Sequence, residues 1–492
     1  MRKRSLLRGI AVVCGAGGVL IGAGGCGPGD GGDRADDGVT SAAEAPASVA
    51  GGERGSGPDG PIAFAEPPEV VSRGGVLGTT LRAAPARLEI GGREVETRVY
   101  NGLFTPPTLR VRPGDVIRLR LENAIDEWTN LHYHGMNVSP LGNGDNIFVR
   151  VDPGESFDYE IEVPEDHPSG LFWYHPHPHR IAERQVLGGM SGGLIVDGLL
   201  DPIPELRGIE ERIMLLKDIQ IASDGRVPDD IDSNAGTTRT LNGQVVPTLR
   251  IRPGETQLWR IGNIGADIFY RLKLDGHTLH EIARDGNRRN QIIPRDEIVL
   301  PPSARVEVLV QGSEPGVYQF RTLAFDTGPA GDQYPEAILA TVVSEGRSET
   351  PLRLPDRLPA VEDLRTRPVD RRRTIVFSED ASGEQFYIDG KQYDPDRVDT
   401  RVELGTLEEW TIRNESDELH VFHIHQVDFQ VTEVNGEAQP FIGYQDTQIT
   451  PIRGEVKLLI PFTNPVIVGK FVYHCHIMSH EDNGMMAVIE VR

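Results

Sequence analysis

One pattern of turn, strand and asparagine occurs three times along this chain, and it sets both the number of folding units and their kind. The first copy runs from Asn101-Gly102 through Arg112-Pro113-Gly114-Asp115 to Asn123. The second runs from Asn242-Gly243 through Arg252-Pro253-Gly254-Glu255 to Asn263, and a diverged third from Asp389-Gly390 through Leu404-Gly405 to Asn414. In each copy the last glycine lies nine residues before the asparagine. The stretch between them alternates apolar and polar residues with the period of a half-buried strand, as in Val116-Ile117-Arg118-Leu119-Arg120-Leu121. A second shared element closes each unit: Gly170-Leu171-Phe172-Trp173-Tyr174, Gly316-Val317-Tyr318-Gln319-Phe320 and Gly469-Lys470-Phe471-Val472-Tyr473. Units of more than a hundred residues are too long for a solenoid, so they read as three similar β-domains. We place these at 72–200, 205–345 and 373–492, with a Pro/Arg-rich linker at 346–372.

Ahead of the repeat, Arg2, Lys3, Arg4 and Arg8 precede an apolar, glycine-rich stretch, the layout of an export signal over 1–26. Ala23-Gly24-Gly25-Cys26 also resembles a bacterial lipoprotein cleavage site, so plain secretion to the periplasm or outside is the leading expectation, with a lipid anchor at Cys26 that tethers the protein to a membrane as the alternative. Residues 27–71, rich in Gly, Asp and Ala, read as a disordered tether. A formal charge of -24 argues against nucleic acid as a partner, because a phosphate backbone is met by excess Lys and Arg. We expect a monomer.

The histidines fall on the repeat. Counted from the shared asparagine, His132 and His134 in the first domain match His423 and His425 in the third, at plus nine and plus eleven. Counted from the shared glycine, His175 and His177 match His474 and His476, at plus five and plus seven. The middle domain has Leu272, Leu274, Arg321 and Leu323 in those places. Residues i and i+2 leave a strand on the same face, so each His-X-His pair can grip a metal. Four matched pairs supply eight imidazoles, enough for three ions, although imidazole alone does not name the metal.

Cys475 names it. It is the one cysteine outside the N-terminal segment that holds Cys14 and Cys26, and an unpaired thiol in an exported protein needs a reason. Strand alternation turns its sulfur away from His474 and His476, and His420 has the opposite parity from His423 and His425. His480 and Met485 follow at plus five and plus ten. Two His, one Cys and a weak axial Met form the ligand set of a blue-copper electron-transfer site. The first-domain counterparts are Thr129, Pro176 and Ile181, so that domain has no second such site.

His132-Tyr133-His134-Gly135, Tyr174-His175-Pro176-His177, His420-Val421-Phe422-His423-Ile424-His425 and His474-Cys475-His476 through His480 to Met485 resemble the four copper motifs of the three-domain multicopper oxidases, over roughly residues 75–492. The resemblance implies an all-β fold of three consecutive cupredoxin-like Greek-key β-sandwiches. It also implies four copper ions. His420, Cys475, His480 and Met485 would hold type 1 copper, and His132 and His423 type 2. His134, His175 and His476, with His177, His425 and His474, would hold the type 3 pair. One departure is Val421, which stands where the family usually has proline.

The implied activity is oxidation of a small reducing substrate at type 1 copper, coupled to reduction of O2 to water. Glu481, next to His480, and more weakly Asp145, are the expected proton relays. Phenols and aromatic amines lead as substrates, with Cu(I), Fe(II) or Mn(II) as the alternative. Only seven methionines are present, which argues against a methionine-rich cuprous insert, while Asp417 and Glu418 near His420 read either as a lure for metal cations or as solvated surface. Two other readings are a non-catalytic copper carrier and a copper nitrite reductase, neither of which needs four His-X-His pairs. His167, His179, His277 and His280 exceed the ligand count, and a structural role is expected for the last two.

Overall fold

The computed structural model describes residues 61–228, 231–232 and 236–492. The export segment, Cys26 and residues 27–60 lie outside these. Residues 61–71, at the end of the expected tether, are extended and bonded. Phe64 N–H donates to Thr248 O at 2.9 Å, and Glu69–Val71 pairs in parallel with Thr108–Val111. Their apolar residues and free backbone groups find partners on the domains beside them.

Each repeat forms a pair of sheets, and six strands carry the matched positions: β1 (His132–His134) and β2 (Gly170–His175), β3 (Tyr270–Leu274) and β4 (Gly316–Leu323), β5 (His420–Ile424) and β6 (Gly469–Cys475). In the first domain one sheet runs Glu69–Val71, Thr108–Val111, Gly192–Val196, β2, β1. The corresponding sheets run Thr248–Ile251, Ala337–Ser344, β4, β3, Ile298–Leu300 and Val398–Val402, Met486–Val491, β6, β5, Thr447–Thr450. All three share a parallel pair followed by antiparallel strands. The long strands Val116–Asn123, Thr256–Asn263 and Thr406–Asn414 belong to the facing sheets. Leu119, Trp259 and Trp410, five residues past each shared glycine, are buried between the sheets. The result is three cupredoxin-like domains.

The conserved-spacing residues have a plain structural purpose. Asn101, Asn242 and Asp389 sit at φ of 53°, 54° and 51°, the left-handed region that Asn, Asp and Gly tolerate in tight turns. Asn123, Asn263 and Asn414 staple the loop that follows each strand. Their Nδ2 groups donate to Glu127 O and Val151 O, to Ile268 O and Leu300 O, and to Glu418 O and Thr450 O. That staple fixes the distance from the asparagine to the next strand, which is where the histidines lie.

Register then places the pairs. His132 faces His175 across β1 and β2, and His423 faces His474 across β5 and β6. In the middle domain Lys273, not Leu272, faces Arg321, so the strands are offset by one residue from the outer two domains. Leu272 and Leu274 are core residues there.

Candidate metal centre

The four His-X-His pairs converge where the first and third domains meet. The His132 and His425 rings stack at 3.8 Å between centroids, and those of His134 and His423 at 3.9 Å. His474 Nε2 lies 3.1 Å from His425 Nε2 and 3.3 Å from His177 Nε2, while His476 Nε2 lies 3.2 Å from His134 Nδ1. His175 completes this group, 5.5 Å from the His476 ring and stacked on Trp173 at 4.2 Å. All eight are buried. Burial holds His132, His134, His175, His177, His423, His425 and His476 below the usual imidazole range, His175 down to about 3 and His177 to about 4, so these seven present neutral nitrogens.

The hydrogen bonds show which nitrogen is left free. His132 Nδ1 is 3.0 Å from Asp145 Oδ1, His175 Nδ1–H donates to Pro176 O at 2.9 Å, and His423 Nδ1–H donates to Asp446 O at 2.9 Å. Their Nε2 atoms are buried with no hydrogen-bond partner. A ligand imidazole bonds through one nitrogen while the other donates to a carboxylate or carbonyl, and these three match that arrangement. An orphaned buried acceptor costs roughly 1–3 kcal/mol, and a metal ion removes that penalty. His134 is the reverse case: its Nε2 faces Asp446 Oδ1 at 3.4 Å and its Nδ1 faces the cluster.

The second site lies on the other side of β5 and β6. His420 Nδ1 and His480 Nδ1 are 3.1 Å apart, each 3.7 Å from Cys475 Sγ. His480 is carried by the short helix α1 (Met478–Asp482), and the turn after it brings back Met485, whose carbonyl accepts from Cys475 N–H at 3.0 Å. Met485 is buried in the same apolar cluster as Cys475, Val421 and Ile477. Burial pushes the Cys475 thiol up, with the Val421 and Ile477 amides acting in the opposite sense.

Two expected carboxylates flank the histidine cluster in different states. Burial opposes ionisation of Glu481, but His177 and His474, with Nδ1 atoms 3.3 and 3.0 Å from its oxygens, bring it down to about 2. Asp145 is pushed up to about 7 by burial, against hydrogen bonds from Tyr133 N–H and the Gln426 side chain.

Of the remaining histidines, His167 accepts from Asn137 N–H and donates to Pro168 O, and His277 accepts from Ser313 N–H and donates to Asp275 O. His280 is half-buried on a middle-domain strand, and His179 packs edge-on to Tyr393.

Sequence reasoning missed the partners that come from elsewhere in the chain. Asp446 belongs to no motif, yet it touches His134 and His423. Arg305, from the middle domain, binds both its oxygens and also donates to Leu171 O of the first domain. Gly135 leaves room for this ion pair: a Cβ there would stand 2.4 Å from Arg305 Nη2 and 2.5 Å from Asp446 Oδ2.

Three family models described as multicopper oxidase match residues 84–200, 215–343 and 354–492. The chain belongs to the three-domain multicopper oxidases. It is 29% identical over 430 residues to the multicopper oxidase mco of Staphylococcus aureus, covering 85% of this chain and 89% of that one. Among solved structures it resembles a Campylobacter jejuni multicopper oxidase, a metallo-oxidase, with TM-score 0.77 and 27% identity over 88% of this chain and 96% of that one. It also resembles a laccase-like oxidase, CueO, of Ochrobactrum sp., with TM-score 0.74 and 27% identity over 87% of this chain and all of that one. This oxidase is a copper-dependent oxidoreductase that uses O2, and its buried histidine groups fit type 1 and trinuclear copper sites.

Proposed function

We propose that this oxidase takes single electrons from a small metal cation, Fe(II), Cu(I) or Mn(II), at the edge of His480, rather than from the phenols and aromatic amines that the sequence favours. The observation that carries this reading is Glu418. Its Oε1 is 3.4 Å from His480 Nε2, Glu379 hydrogen-bonds to it, and Asp332 lies close by. Burial first, and then Glu379, push the Glu418 carboxyl up to about 9, so it holds a proton that a metal cation can replace. The adjacent cavity, about 580 Å³, is lined by Asp326, Gly328, Pro329, Gly331 and Gln333. It lacks the apolar and aromatic lining typical of sites for organic molecules. The similar Campylobacter protein is described as a metallo-oxidase, whereas the Ochrobactrum one acts on lignin model compounds.

His420, Cys475, His480 and Met485 would hold one copper, and His132 with His423 a second. His134, His175 and His476 would hold a third, and His177, His425 and His474 a fourth. Copper at these positions supplies one-electron exchange beside Cys475 and four-electron reduction of O2 to two waters at the histidine cluster. The chain's own part is positional. The backbone on either side of Cys475 joins it covalently to His474 and His476, which gives a short path between the two sites. Asp145 keeps a proton near neutral pH beside His132, which suits it to proton delivery. Glu481 sets its oxygens 3.3 and 3.0 Å from the Nδ1 atoms of His177 and His474, a place that suits a second proton relay. The N-terminal segment supports action outside the cytoplasm.

Oxygen uptake by copper-loaded protein, measured with Fe(II), Cu(I), Mn(II) and a phenol, tests the reading. A metal ion is expected to be the best donor, with Glu418→Gln lowering kcat/KM for it at least tenfold and sparing the phenol. A phenol as best donor, with no effect of Glu418→Gln, overturns the substrate assignment. No uptake with any donor would favour the carrier.

A further inference from the structure

We infer that the backbone amide of Val421 raises the reduction potential of the copper held at Cys475. Val421 N–H points at Cys475 Sγ with an N···S distance of 3.4 Å, in a fully buried setting. Ile477 N–H is the other backbone donor facing this thiol. The bond follows from the sheet. Residue 421 sits on β5 with its carbonyl accepting from His476 N–H at 2.7 Å, and Phe422 faces Cys475 across to β6. The neighbouring amide of Val421 thus meets a side-chain sulfur rather than a carbonyl. A proline at this position has no N–H, so the departure seen in the sequence adds a hydrogen bond to the sulfur.

The sign follows from charge. In the oxidised state the thiolate donates electron density to copper, and in the reduced state it keeps more of its negative charge. An N–H dipole on the sulfur draws density back and stabilises the more anionic state, which is the reduced one. Hydrogen bonding around the cysteine sulfur is a recognised control of potential in such sites. Because Val421 and Cys475 are both fully buried, bulk solvent does not screen the dipole. A higher potential strengthens the pull on the donor's electron and reduces the drive onward to the histidine cluster. Val421 therefore acts as a positioning residue through its backbone, independent of its side chain.

The inference rests on copper being held by His420, Cys475 and His480, and the test separates the two. Wild type, Val421→Pro, Val421→Ala and a variant with the Val421 amide replaced by an ester are loaded with copper and titrated by potential. The thiolate-to-copper absorption serves as readout. Absence of that absorption in the wild type defeats the copper assignment itself. Val421→Ala keeps the amide and is expected to match the wild-type potential. The ester variant removes the N–H while keeping the valine side chain, so it stands in if Val421→Pro does not fold. Loss of the N–H is expected to lower the potential by on the order of 59 mV, a tenfold change for a one-electron couple. A blue wild type whose ester and proline variants keep its potential, or an alanine variant that shifts as far, overturns the inference.

Discussion

Arg305 of the middle domain and Asp446 of the third form a bidentate ion pair, with Nη1 2.9 Å from Oδ1 and Nη2 2.7 Å from Oδ2, neither side chain reaching solvent. Asp446 in turn faces His134 and accepts from His423, so a domain that contributes no side chain to the histidine cluster braces it. Arg305→Met leaves a buried carboxylate unpaired and is expected to cost about 3–5 kcal/mol in denaturant unfolding. Arg305→Lys keeps the charge but loses the fork. It is expected to fold and to retain the Cys475-dependent absorption while its type 2 copper signal changes. An unchanged type 2 spectrum would refute the bracing role.

Asp145 predicts a pH dependence. Its carboxyl, pushed up to about 7, holds its proton below that pH and loses it above. If it delivers protons, turnover of the wild type declines as pH rises through about 7. Asp145→Asn should lose that limb of the profile and about a hundredfold in kcat. Steady-state oxygen uptake from pH 5 to about 9 reads both.

Glu281 predicts acid sensitivity of the middle domain. Burial opposes its ionisation, but Arg289, Arg284 and Arg295 bring it to about 2, against an ordinary 4.5. A depressed folded pKa contributes stability above the unfolded value, and that stability is lost as pH falls through 4.5 toward 2. The shift corresponds to about 3 kcal/mol. Glu281→Gln should therefore be less stable by about that much at pH 7. The gap should narrow below pH 4.5 in urea titrations.

Asn414 ties its strand to the loop bearing Glu418 and His420. Asn414→Ala removes bonds to Glu418 O, Thr450 O and Ser416 N–H in a buried place. The expected cost is about 2–4 kcal/mol. A loss under 1 kcal/mol in thermal unfolding would show that the repeat asparagine is not the staple described.

The repeat made the three β-domains and the histidine pairs legible, because spacing along a strand translates directly into face and register. The opposition of Cys475 to its two neighbours was readable for the same reason, from parity alone. Asp446 and Arg305 were not, since their pairing depends on how three domains dock and no local period encodes that. The middle domain's leucines marked it as lacking ligands, and nothing in its sequence advertised a contribution through Arg305. Asp145 was the weaker relay candidate because its alignment needed a shift, yet the loop after β1 folds it against His132. The acids around Glu418 likewise come from separate segments, and only folding gathers them.

Cys475, its two flanking histidines, His480 and Met485 lie within residues 474–485, far along the chain from His132. During synthesis the first two domains can therefore fold while neither copper position yet exists. A ribosome must pass residue 485 before the site around Cys475 is complete. Metal arriving before residue 474 is made meets histidines but no Cys475 thiol. Copper insertion at Cys475 is thus a late event in the life of this molecule, set by the position of one thiol near the end of the last domain.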